Sequence, residues 1–178
     1  MYKKKFGEKK YDESSNWMSN YVTKHKLSKL VQIDQNGYSF SDGTSISMAV
    51  YKPNNYTLRD QDGNKIPFDE YHQNAIYSKH DCTLALKCRV ASKKIQLKGP
   101  VTIIQILKTI DEFFSTPISE EEYANLLPEY TNNWNHTMYP TFDHFKTAIS
   151  TYGKSRGDHV YFEGLYERDG ELHLNWGS

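Results

Sequence analysis

Three side chains near the C-terminal end, Lys154, Arg156 and His159, are close enough in sequence to hold an anion together. They overlap a Gly153-Lys154-Ser155 triplet, the ending of a phosphate-binding loop. That loop needs a glycine where Ala148 stands, and it joins a strand to a helix. Here a helical pattern comes before the triplet and a strand pattern after it. What remains is a small anion patch on a turn.

A second group, His72, His80, Cys82 and Cys88, has metal-ligating chemistry. Its spacing works against a shared ion. On one strand Cys82 and Cys88 stand roughly 20 Å apart, at ~3.3 Å per residue. They can share neither a zinc nor a disulfide. His80 and Cys82 could share an ion, but two ligands do not make a site. Both cysteines read as small buried hydrophobes. Asp60, Asp62 and Asn64 have the spacing of a calcium loop, but Lys65 replaces its glycine and Tyr71 its closing glutamate. Asp62-Gly63 reads as a hairpin turn. No metal and no cofactor are expected.

His136, Asp143, His144, His159, Glu163 and His173 crowd the last third of the chain. An acid–base pair among them would suit a hydrolase-like enzyme. There is no Gly-x-Ser-x-Gly and no context for a catalytic cysteine. Exposed hairpin faces commonly carry such residues, so the expectation leans away from catalysis.

The segment YKKKFGEKKY offers a different chemistry. Lys3, Lys4, Lys5, Lys9 and Lys10 could neutralise phosphates, and Tyr2, Phe6 and Tyr11 could stack on bases. Residues 1–30 carry a net +5 and residues 111–130 a net −6, while the whole chain is neutral. Neutrality argues against a dedicated nucleic-acid binder. The asymmetry suggests a basic arm and an acidic face that attract each other, within one molecule or between molecules.

These groups need a scaffold. With 178 residues, 37% of them hydrophobic, one core can close. No window approaches the roughly 18 apolar residues of a membrane helix. Two cysteines are no disulfide framework, which points to an intracellular setting. Residues 1–11 read as a disordered basic arm and residues 12–178 as a single α+β domain.

Within that domain Trp17, Met18, Tyr21, Val22 and His25 form a first helical stripe. Asn36-Gly37, Asp42-Gly43 and Asp62-Gly63 then punctuate an antiparallel β meander. His80–Val90 alternates as a strand, with Leu84, Leu86 and Cys88 inward. Ile103, Ile106, Leu107, Ile110, Phe113 and Phe114 follow the helical period. Ser119 and Glu122 form a capping box, stapled by Ile118 and Tyr123, for a helix expected to stop near Pro128. Phe142, Phe145, Ile149 and Tyr152 stripe a further helix, with Gly153 as its C-cap.

A closing hairpin ends the chain. A three-residue loop, Arg168-Asp169-Gly170, would pair Tyr166 with Leu172, Gly164 with Leu174 and Phe162 with Trp176. That register puts the large apolar side chains on one face, with Trp176 as a core anchor.

Two stretches, VTIIQILKTIDEFFSTPIS and YFEGLYERDGELHLNWGS, resemble the C-terminal half of a protein family of giant, mimivirus-like DNA viruses of amoebae. The resemblance spans residues 99–178. It implies no activity, cofactor or site. It does imply a viral setting, in the host cytoplasm or the virion. The leading expectation is a non-enzymatic accessory or virion-associated protein acting through protein contacts, with an unidentified protein or a second copy as partner. A nucleic-acid-associated protein using the N-terminal arm is the alternative, and no membrane is expected as partner.

Overall fold

The computed structural model describes residues 31–132 and 137–178. The basic arm, the first helical stripe and His136 lie outside the described residues.

The described chain is an α+β domain. Strands β1 (Ser45–Met48), β2 (Tyr56–Arg59) and β3 (Lys65–Ile66) form an antiparallel meander. A single helical turn, α1 (Glu70–Gln73), leads into β4 (Ile76–Ser78), which pairs with β7 (Val101–Thr102). Between them run β5 (Cys82–Lys87) and β6 (Ser92–Leu97), an antiparallel hairpin. Helices α2 (Ile103–Phe114), α3 (Glu120–Tyr130) and α4 (Phe142–Ala148) follow, then a 3₁₀ turn (Lys154–Arg156). Strands β8 (Tyr161–Arg168) and β9 (Glu171–Gly177) close the chain.

The main sheet has the order β6-β5-β9-β8. β9 inserts between its own hairpin partner and β5, and it runs parallel to β5. The long helical excursion between β6 and β8 makes that parallel pairing possible, because parallel neighbours need a crossover. One face of the sheet packs on α2, whose Ile103, Ile106, Leu107, Ile110, Phe113 and Phe114 are all buried. Each such side chain contributes about 1.5–3 kcal/mol on burial. A smaller cluster joins Tyr123, Leu126 and Tyr130 of α3 to Phe145 of α4. Among the described residues no helix is long and apolar enough to cross a membrane.

Local chemistry explains most boundaries. The expected capping box forms: the Glu122 amide donates to Ser119 Oγ, and the Ser119 amide donates to Glu122 Oε2. α3, however, runs past Pro128 to Tyr130. The proline removes one donor in the last turn, while buried Leu126 and Tyr130 hold the helix in place. α4 ends at Ala148, well short of Gly153. Gly153 is glycine for another reason. A Cβ there would sit 1.9 Å from the Val50 carbonyl oxygen.

The closing hairpin differs from the expected register at its tip. Asp169 and Gly170 form a two-residue turn with φ of 54° and 76°, so Arg168 faces Glu171 and Leu165 faces Leu174. A bulge at Glu163 then shifts the ladder by one residue, so Phe162 still faces Trp176.

Candidate functional site: a basic and aromatic cleft

β5 and β9 pair only over Thr83–Ala85 and Glu171–His173, then part. The gap between their diverging ends is a cleft of about 590 Å³. β5 and its turn contribute Lys87, Cys88 and Arg89; β9 contributes Leu174, Asn175 and Trp176. Tyr166 reaches in from β8, and the segment before β8 brings Arg156 and His159.

Arg156 organises the cleft. Its Nη1 donates to the Lys87 carbonyl at 2.8 Å and its Nε to the His159 carbonyl at 2.9 Å. The guanidinium lies over the Trp176 ring, 4.5 Å from the centroid, and 5.6 Å from that of Phe114. Trp176 in turn meets Phe114 edge-on at 5.3 Å and Phe162 at 6.3 Å. The indole is half-buried, anchored in the core on one side and covered by the cation on the other. Burial pulls the Arg156 pKa below its ordinary value.

Arg89 is engaged by Glu129. Gly157, at φ 77°, lets the chain turn beside Arg89, since a Cβ there would lie 2.9 Å from Nη2. Lys87 and Arg156 have no ion-pair partner among the described residues. Among the described residues no carboxylate lines the cleft. A half-buried guanidinium fixed by two carbonyls, with Lys87 lining the same cleft, has the chemistry to accept an anion.

The cleft opens onto the outer face of the main sheet. Register places Ala85, His173 and Tyr166 side by side there, with Lys87 and Asn175 in the next row. The Tyr166 and His173 rings stack, 5.4 Å apart and inclined by 21°.

Of the expected anion patch, Arg156 and His159 share the cleft and Lys154 does not. Its Nζ donates to Ser150 Oγ, and it faces a separate hollow beside Phe145 and Ile149. In a 3₁₀ turn, side chains two residues apart point about 240° apart, which sends Lys154 and Arg156 different ways. Lys3, Lys4, Lys5, Lys9 and Lys10 lie outside the described residues. Sequence reasoning missed Lys87 and Arg89; their signal was the Lys-Cys-Arg run at the end of a strand with a buried cysteine.

The metal candidates are dispersed. His80 is exposed, Cys82 is half-buried, and buried Cys88 accepts the Ala91 amide on its Sγ at 3.3 Å. Burial, with Asp81 nearby, pushes the Cys82 thiol up. His72 sits elsewhere, with Nδ1 2.7 Å from Asp69 Oδ1 and Nε2 2.9 Å from Asp42 Oδ2. Among the described residues no cluster of three or more His, Cys, Asp or Glu could hold a metal.

The candidate acid–base residues do not converge either. His144 is bonded to Thr141, and Asp143 stands near Lys146. Glu163 lines a hollow with Asp34 and Asn36, and His173 lies against Tyr166. No family model, curated protein or solved structure matches the chain.

Proposed function

We propose that the protein is a non-enzymatic accessory protein that works by binding, and that the cleft between β5 and β9 seats an anionic group of its macromolecular partner. The resemblance of residues 99–178 to giant-virus proteins supports a viral role, in the host cytoplasm or the virion. One observation carries the binding reading. Arg156 is half-buried, stacked on Trp176, and without a carboxylate partner among the described residues. Removing a cation from water without a counter-charge is costly, and an incoming anion offsets that cost.

The test is a titration of the full chain with inorganic pyrophosphate, followed by NMR at the Trp176 indole N–H and the Arg156 Nε–H. Saturable shifts at both are expected. They should weaken severalfold in Lys87→Ala, where the side chain is exposed and its loss leaves the core intact. Resonances that stay put through the titration would sink the reading.

A further inference from the structure

The cleft suits an anionic group. The sheet face beside it says more. Resting on the reading above, we infer that the partner is single-stranded nucleic acid, with a base stacked on the Tyr166–His173 pair and the adjoining phosphates held by Lys87 and Arg156.

The ring pair is the deciding observation. Tyr166 is 47% exposed, and its ring lies nearly parallel to that of His173 on the solvent side of β8 and β9. Most aromatic pairs among the described residues are tilted or edge-to-face and belong to the cores, such as Phe113 with Phe114 and Tyr130 with Phe145. A stacked ring pair with one member exposed can extend its stack to an unpaired base, whatever the sequence. An acidic peptide has no comparable use for it. The neighbour across the ladder from His173 is Ala85, with Lys94 beyond it turned to Glu171, and Tyr166 borders a hollow shared with Asn36, Tyr38 and Asn175 and with the carboxylates Asp34 and Glu163.

The cations lie at the right reach. Lys87 is two residues beyond Ala85 on the same strand and the same face, a step of about 7 Å. Arg156 is bonded to the Lys87 carbonyl, so it comes next along the same line. The line runs from stacked rings to ammonium to guanidinium and into the cleft. A base on Tyr166 therefore directs its phosphate toward Lys87, and the following phosphate toward Arg156.

The charges also limit how the strand is held. Lys94 is paired with Glu171 and Arg89 with Glu129. Lys87 and Arg156 are the two neighbouring cations without an ion pair among the described residues. Two phosphate contacts on a single strand give a slope of log K against log salt of only about −1.4. Stacking supplies more of the affinity than charge does. A neutral protein can bind a single strand on such terms.

The experiment is fluorescence polarisation of the full chain with labelled oligo(dT) and oligo(rU), and with a labelled Glu-rich peptide, across a salt series. Binding of an oligonucleotide with a slope of about −1.4 is expected. Tyr166→Ala should weaken it about tenfold or more, while Tyr166→Phe keeps it. Because Tyr166 is exposed, circular dichroism and the thermal midpoint should stay unchanged in both variants. Comparing oligo(dT) with oligo(rU) separates DNA from RNA.

Peptide binding without oligonucleotide binding overturns this inference and leaves the anion-binding cleft standing. Oligonucleotide binding that survives Tyr166→Ala but disappears when residues 1–11 are removed places recognition on the arm and also overturns it. Silence of oligonucleotides, peptide and pyrophosphate alike removes the inference and the proposed function together.

Discussion

Phe162 faces Trp176 across the closing hairpin, although the two-residue turn at Asp169-Gly170 would by itself set it opposite Gly177. The bulge at Glu163 makes the difference. It lets Leu165 and Phe162, three residues apart, both turn inward, where strict alternation would expose one of them.

The backbone that allows this is Gly164, at φ 120°. A Cβ there would lie 2.7 Å from the Asn36 carbonyl oxygen, and that carbonyl also accepts the Leu165 amide at 2.5 Å. Gly164→Ala should therefore cost about 2–3 kcal/mol, from the positive φ and the close approach together. Glu163→Ala, at an exposed position, should stay within about 0.5 kcal/mol. Urea denaturation of the two variants checks both numbers. Equal stability of Gly164→Ala and wild type would mean that the bulge does not set the register.

The same hairpin shows what the sequence makes legible. Alternation of Phe162, Leu172, Leu174 and Trp176 announces the strands and their buried face, because a period of two is local information. The bulge is not announced. It depends on Asn36, more than a hundred residues away in the chain. The helical stripe of α2 and the capping box of α3 were readable for the same local reason. The insertion of β9 beside β5 is a long-range pairing, and with it the cleft was hidden. Arg156 and His159 could be picked out as an anion patch because they are near neighbours in sequence. Lys87 and Trp176 join them only through the fold.

Trp176 and Arg156 depend on each other. Trp176→Ala removes the surface under the guanidinium along with its contacts to Phe114 and Phe162. A loss of about 3 kcal/mol is expected for this half-buried indole. Arg156→Lys keeps the charge but cannot span the Lys87 and His159 carbonyls. It should cost about 1–2 kcal/mol and reduce the pyrophosphate response. Thermal unfolding and the same titration measure both effects. An unaltered response in Arg156→Lys would show that the forked geometry is not what binds.

His72 ties two distant turns together, with Asp69 of the α1 cap on one ring nitrogen and Asp42 on the other. Burial pushes the Asp42 carboxyl up, but hydrogen bonds from the Thr44 amide and hydroxyl, and from His72, outweigh it and hold its pKa below the ordinary value. A depressed acid stabilises the fold above its unfolded pKa of about 3.9 and ceases to do so as pH falls through the lower folded value. Asp42→Asn should therefore be less stable than wild type near neutrality, with the gap closing in acid. Urea midpoints across a pH series report it. A gap independent of pH would assign the effect to shape instead of charge.

Tyr152 joins the small core to the approach of the cleft. Its hydroxyl donates to Glu122 Oε1 at 2.5 Å, while Glu122 Oε2 accepts the Ser119 amide at 2.8 Å. The bond to Glu122, with burial, pushes the Tyr152 pKa up to about 12. The Ser119 amide and then the Tyr152 hydroxyl pull Glu122 down. A raised tyrosine stabilises the fold fully below its unfolded pKa of about 10 and loses that contribution as pH rises through the folded value. A lowered glutamate contributes above its unfolded pKa of about 4.3 and fades in acid. Tyr152→Phe should thus cost about 1 kcal/mol in the middle of the range, because solvent screens the exposed carboxylate, and the cost should shrink toward both ends. Tyr152 stands two residues before the 3₁₀ turn that presents Arg156. Loosening it should also broaden the Arg156 Nε–H resonance. A Tyr152→Phe variant with wild-type stability at neutral pH and a sharp Arg156 signal would separate the small core from the cleft.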